Sequence, residues 1–172
     1  SYANTVATID FAKQFKGHGW VGISFQIEPD EAYNEIILHI RFKETDSRLQ
    51  QETLGILGVN LIYGAYYKYS DPKKLLRYLY DHLDKDQLEI DTINFSGPRF
   101  ANVDNRLMSL QLVKNGMTDA VMFSPEGKNI LPAAVLYKKN ILALRGSFRP
   151  VTTVNMDMYE KSLKMFLDEN KV

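Results

Sequence analysis

Apolar and polar residues alternate at the start of the chain, where Ala7, Ile9 and Phe11 interleave with Val6, Thr8 and Asp10. Beyond a turn at Lys16-Gly17-His18-Gly19 the odd positions Val21, Ile23, Phe25 and Ile27 are all apolar. A period of two marks strands with one buried face. A third strand is predicted over Glu35 to Phe42, with Ile36, Leu38, Ile40 and Phe42 facing one way and Glu35, His39 and Arg41 the other. The polar linker Glu28 to Asn34 suits a hairpin-type connection, so the opening reads as an antiparallel meander with one wet face.

The period then changes. Asp46-Ser47 followed by Gln50 predicts a helix start, with the Ser47 side chain accepting a free amide proton and Gln50 reaching back. The helix runs to about Tyr66 and is apolar nearly all round from Leu54 to Ala65. Gly55, Gly58 and Gly64 each cost about 1 kcal/mol against Ala in a helix, which points to close packing against a neighbour. A buried strand pair broken at Gly58 is the alternative. Asp71-Pro72 places a capping residue before a proline at the first helical position, and Leu75, Leu76, Leu79 and Leu83 form the stripe of a second helix.

Leu88 to Phe95 then reads as a strand, Val103 to Asn115 as a helix closed by Gly116, and Ala120 to Phe123 as a strand. That order predicts a βαβ unit with a right-handed crossover between parallel strands. Ser124-Pro125-Glu126-Gly127 is a turn, Pro132 starts a short helix through Tyr137, and Ile141 to Leu144 is a last strand. A terminal helix over Asn155 to Leu167 would turn Met156, Tyr159, Leu163 and Phe166 inward. The fold class expected is α/β, with α+β left open: a mixed sheet with an N-terminal three-stranded antiparallel meander, a central apolar helix and a βαβ unit. No repeat, linker or composition break divides residues 1–172, so one domain is the simplest count.

Composition narrows the functional classes. Hydrophobic residues make up 45% and charged residues 24% of the 172, which is ordinary for a globular chain and argues against disorder and low complexity. Lys and Arg total 21, as do Asp and Glu, and zero net charge disfavours a nucleic-acid partner. No cysteine is present, which removes disulfides, thiolate nucleophiles and Cys-ligated metals and is compatible with the cytoplasm. The longest apolar run, Leu54 to Tyr67, is shorter than the roughly 20 residues that cross a bilayer, so no membrane partner is expected. Because the chain begins at Ser1 rather than Met, it is expected to be a piece of a longer protein.

Candidate chemistry is sparse. The turn Ser96-Gly97-Pro98-Arg99-Phe100-Ala101-Asn102 leaves a strand and enters a helix whose free amides and dipole attract anions. Arg99 and Arg106 could fork a phosphate or carboxylate there. The segment Arg145-Gly146-Ser147-Phe148-Arg149-Pro150 follows the last strand and, in a parallel arrangement, would lie on the same edge. The candidate anion site is therefore Ser96, Gly97, Arg99, Asn102, Arg106, Arg145, Ser147 and Arg149, with an ordinary capped loop as the alternative at the first turn. His18, His39 and His82 are isolated in sequence and read as surface or half-buried residues, so no metal and no cofactor is expected. Asp91, Asp104 and Asp119 have no spacing that makes an acid–base pair, and no phosphate-loop pattern occurs. Tyr63, Tyr66, Tyr67 and Tyr69 cluster at the end of the central helix, where they could line a pocket, an interface or the edge of the core.

The stretches RLQQETLGILGVNLIYGA (48–65), INFSGP (93–98), VDNRLMSLQLVKNGMTDA (103–120) and LALRGSFRPVT (142–152) together resemble the C-terminal part of a family of longer bacterial proteins. Members carry inconsistent names, among them nicotinate-nucleotide adenylyltransferase and TonB-dependent receptor. The first name implies a His-x-Gly-His loop and a second basic Ser/Thr-rich motif, neither of which this sequence contains. The second implies many long amphipathic strands, against a chain that reads as about half helix. The function expected is that of a cytoplasmic α/β module of a larger protein with a binding or assembly role, self-associating through its tyrosine-rich helix end. An enzyme or sensor for a phosphorylated small molecule or nucleotide is the alternative.

Overall fold

A computed structural model of the chain describes residues 1–8 and 17–170. It divides into two compact units, 1–131 and 132–172.

The first unit is built on a four-stranded antiparallel sheet in the order β1 (Tyr2–Ala7), β2 (His18–Phe25), β3 (Asn34–Phe42), β4 (Leu88–Ser96). The meander forms as its alternation dictates, with Val21, Ile23, Phe25, Ile36, Leu38, Ile40 and Phe42 all buried on one face. Gly17-His18-Gly19 is not a turn, because β2 begins at His18 and Gly19 pairs with both Val6 and Ile40. The expected first strand over residues 6–11 is found at Tyr2–Ala7, and Ile9 and Phe11 lie outside the described residues.

Helix α1 (Ser47–Tyr67) covers the apolar face. Its cap is Asp46 rather than Ser47: the Asp46 carboxylate accepts from the amides of Arg48 and Leu49, while the Gln50 side chain donates to the Glu44 carbonyl. Leu57, Leu61 and Ala65 reach the core, and Asn60 donates to the carbonyls of Leu79 and Asp81. Gly58 and Gly64 sit where larger residues would crowd, against the Tyr2 ring and Leu75 respectively, but Gly55 faces open space. Helix α2 (Pro72–Tyr78) starts as expected on Asp71 and buries Leu75 and Leu76, but it ends before Leu79 and Leu83, which are buried in the turn that follows.

Strand β4 pairs antiparallel with β3, and a 3₁₀ turn (Pro98–Phe100) leads to α3 (Asn105–Lys114), which ends at Gly116 with φ +67°. The strand–helix–strand order of the expected βαβ unit is present, but its parallel crossover is not. β5 (Met122–Phe123) pairs only with β6 (Asn129–Ile130), across the turn closed at Gly127. The reason lies on the free edge of β4. Asn105 donates to the Phe95 carbonyl and accepts from its amide, Asn129 donates to the Ile93 carbonyl, and the Ile90 amide donates to Met117. Two asparagine side chains and the Met117 carbonyl thus occupy groups that a fifth strand would need.

The second unit contains α4 (Pro132–Leu136) and α5 (Thr153–Asn170). Thr152 and Asn155 exchange hydrogen bonds at the start of α5. The strand expected over Ile141 to Leu144 does not form: Leu142 and Leu144 alternate with exposed neighbours, but no partner edge turns the alternation into a ladder. On α5 the better covered positions are Met158, Ser162, Leu163 and Phe166, whereas Met156 and Tyr159 are exposed. No helix among the described residues is long and apolar enough to cross a membrane.

Candidate functional site

The outer face of the sheet, opposite α1, carries the polar residues of β3 and β4. It is not uniformly wet. His39 is 3% exposed and its Nδ1 lies 2.8 Å from Oδ1 of Asp91, which is 8% exposed. A β-bulge makes this pair: Thr92 is the register partner of His39 and Ile90 that of Ile40, so Asp91 is the extra residue whose side chain turns beside the imidazole. Trp20, opposite His39 on β2, packs edge-on with ring centroids 4.9 Å apart, and His18 lies at 5.5 Å. The expectation of a surface or half-buried His39 is corrected here. Its polar partner sits 52 residues away and reaches it only through a bulge, so spacing carried no signal.

Beside this pair a cleft of about 590 Å³ opens between the sheet, the start of α3 and the β5–β6 turn. Trp20, Ile37 and Val103 give it apolar walls, while Thr92, Asn94, Arg106 and Lys128 supply polar groups. Trp20 and Thr92, which flank His39 across the sheet, both line it. Asn105 and Asn129 line it too, but their amides are turned to the edge of β4; Oδ1 of Asn129 is buried with no hydrogen-bond partner.

Charge at the rim is largely balanced internally. Asp104 caps α3 by accepting from the Arg106 amide, and its carboxylate also takes the Arg106 guanidinium at 3.0 Å. The Arg106 hydrogen bond holds the Asp104 carboxyl below its usual range, and Asp104 in turn raises Arg106. Gly127, with φ +78°, brings its backbone close to the Arg106 guanidinium, where a side chain would crowd it. Lys128 is exposed and makes no ion pair among those described.

Of the eight candidates, only Arg106 lines the cleft. Arg99 binds Glu31 with its Nε at 2.6 Å and lies over the Tyr69 ring, and its amide donates to Asn34, so it clamps the β2–β3 connection. Ser96 donates to Glu35, and Gly97, with φ +102°, passes so close to Tyr33 and Asn34 that no side chain fits. These contacts are structural, and they leave the expected anion cradle filled by the chain's own groups. Asn102 is exposed, and Asp104 rather than Asn102 caps the helix. Arg145, Ser147 and Arg149 belong to the second unit, on the exposed segment between α4 and α5. Among the described residues no cluster of three His, Cys, Asp or Glu could hold a metal ion.

Comparison with protein-family models, curated proteins and solved structures finds no match to this chain.

Proposed function

We propose that this chain is a binding module of a longer cytoplasmic protein, of the bacterial family it resembles, and that the cleft beside Trp20 is its ligand site. The observation that carries this is the cleft itself. Its volume of about 590 Å³ lies inside the roughly 300–1,000 Å³ of small-molecule sites, with apolar walls and a few convergent polar groups. Lys128, exposed and without an ion pair among the described residues, lines the cleft with Arg106 and favours a ligand with an anionic group and a flat portion able to lie against Trp20. Binding fits the lining better than catalysis: the one carboxylate among the lining residues, Asp104, is taken up by the Arg106 amide and guanidinium, and the hydrogen-bonded pair of His39 with Asp91 lies under Trp20 rather than in the cleft wall.

Trp20 is the only tryptophan and lines the cleft, so in the folded protein its fluorescence responds to a ligand bound there. A panel of mononucleotides, sugar phosphates and dinucleotides is screened by thermal shift, then titrated by fluorescence. A ligand at a hundred times its dissociation constant adds about 2.7 kcal/mol, or roughly 5–10 °C in a protein of this size. Trp20→Ala and Lys128→Glu should abolish the shift. A panel that moves neither signal refutes the anionic-ligand assignment.

A further inference from the structure

Helix α1 is apolar on two faces. One buries Leu57, Leu61 and Ala65 against the sheet; the other presents Val59, Ile62, Tyr63 and Tyr66 to solvent at spacings of three and four, with Ile56 half-buried at its margin. A helix that is apolar all round belongs inside a structure. Leu49, Val59, Ile62, Tyr63, Tyr66 and Tyr67 are between 40% and 72% exposed, which leaves on the order of 600 Å² of apolar surface. That is as large as the largest patch monomers ordinarily show, roughly 300–600 Å², and approaches the roughly 800 Å² each partner contributes to a standard interface.

The patch also has a shape. A Cβ built on Gly55 would meet nothing within 4 Å, so the helix has a bare spot there. Shallow clefts of about 650 and 390 Å³ run along its two sides, and Gly55 and Val59 line both. Tyr63 stands two turns beyond Gly55, with its ring 4.6 Å from Tyr67 and 4.9 Å from Tyr78. No charged residue interrupts the helix between Glu52 and Lys68, whose ammonium lies over the Tyr63 and Tyr78 rings.

We propose that α1 packs antiparallel against α1 of a second copy, with a two-fold axis at Val59 and each Tyr63 seated on the bare backbone at the partner's Gly55. The spacing fits this symmetry, because Gly55 and Tyr63 lie equally far from Val59 on either side, about 6 Å along the helix. The same operation brings Glu52 opposite Tyr66 and within a few ångströms, along the axis, of the partner's Lys68. Glu52, which Arg48 pairs within its own helix, thus comes near the partner's Lys68. This inference is independent of the cleft.

The chain has no cysteine, which makes single-cysteine crosslinking clean. Mass is followed by light scattering from micromolar to millimolar concentration and should climb from 19.8 kDa toward twice that value. Val59→Glu should hold it at the monomer mass with unchanged circular dichroism, since Val59 is 66% exposed and its loss does not touch the core. Under mild oxidation Val59→Cys should form a disulfide-linked dimer. Leu49→Cys should not, because antiparallel pairing holds its two copies about 30 Å apart, beyond the roughly 7 Å Cα separation a disulfide spans. A strict monomer at the highest concentration, a Val59→Glu protein that still dimerises, or a Leu49→Cys protein that crosslinks as readily as Val59→Cys would each overturn the proposal.

Discussion

Two glycines three residues apart on α1 should respond to substitution with opposite signs. At Gly55 a Cβ meets nothing within 4 Å, so Gly55→Ala gains the helix propensity alone, about 1 kcal/mol, or roughly 2–4 °C in melting temperature. At Gly58 a Cβ would already lie 2.9 Å from the Tyr2 hydroxyl and 3.2 Å from the ring carbon that bears it. Gly58→Leu adds three further carbons to that space. Overpacking costs about 1–3 kcal/mol and the propensity gain returns about 1, so a net loss of up to about 2 kcal/mol is expected. Urea unfolding of the dilute protein, followed by Trp20 fluorescence and circular dichroism, measures both. The Tyr2→Ala background then isolates the cause: Gly58→Leu should cost clearly less there, giving a coupling energy on the order of 1 kcal/mol. A Gly58→Leu protein as stable as its parent, or a cost that does not depend on Tyr2, would refute close packing of β1 on α1.

Removing the Asp91 carboxylate strands the buried His39 Nδ1, so Asp91→Ala should cost about 3 kcal/mol and alter Trp20 emission through the His39 ring; calorimetry and fluorescence check this. Asn105→Ala frees the amide and carbonyl of Phe95 on the edge of β4, with an expected loss of about 1–3 kcal/mol and faster amide exchange at Phe95. The Arg99 hydrogen bond holds the Glu31 carboxyl below its ordinary range. A carboxyl depressed on folding contributes stability above its unfolded value and loses it as pH falls through the folded one. Arg99→Gln should therefore move the Glu31 titration upward by NMR and remove that part of the acid sensitivity, whereas an unmoved titration would mean the ion pair does not form in solution.

Elements carried by a local pattern could be read from the chain directly. The alternation from Val21 to Phe25 and from Ile36 to Phe42, the Asp71-Pro72 start of α2 and the glycine after α3 are each specified by neighbouring residues. Backbone sterics, capping and hydrophobic period act over a few positions, so sequence alone determined them. Three features were decided only in tertiary structure. Asp91 reaches His39 because β4 bulges against β3, and nothing within either strand announces a bulge. The sheet stops at β4 because Asn105 and Asn129, ordinary polar residues in sequence, take the hydrogen bonds of its edge. Of the candidate anion site, Arg99 is held by Glu31 and Arg106 by Asp104, because where a long charged side chain finds its counter-charge depends on which segments lie beside it rather than on its own neighbours in the chain.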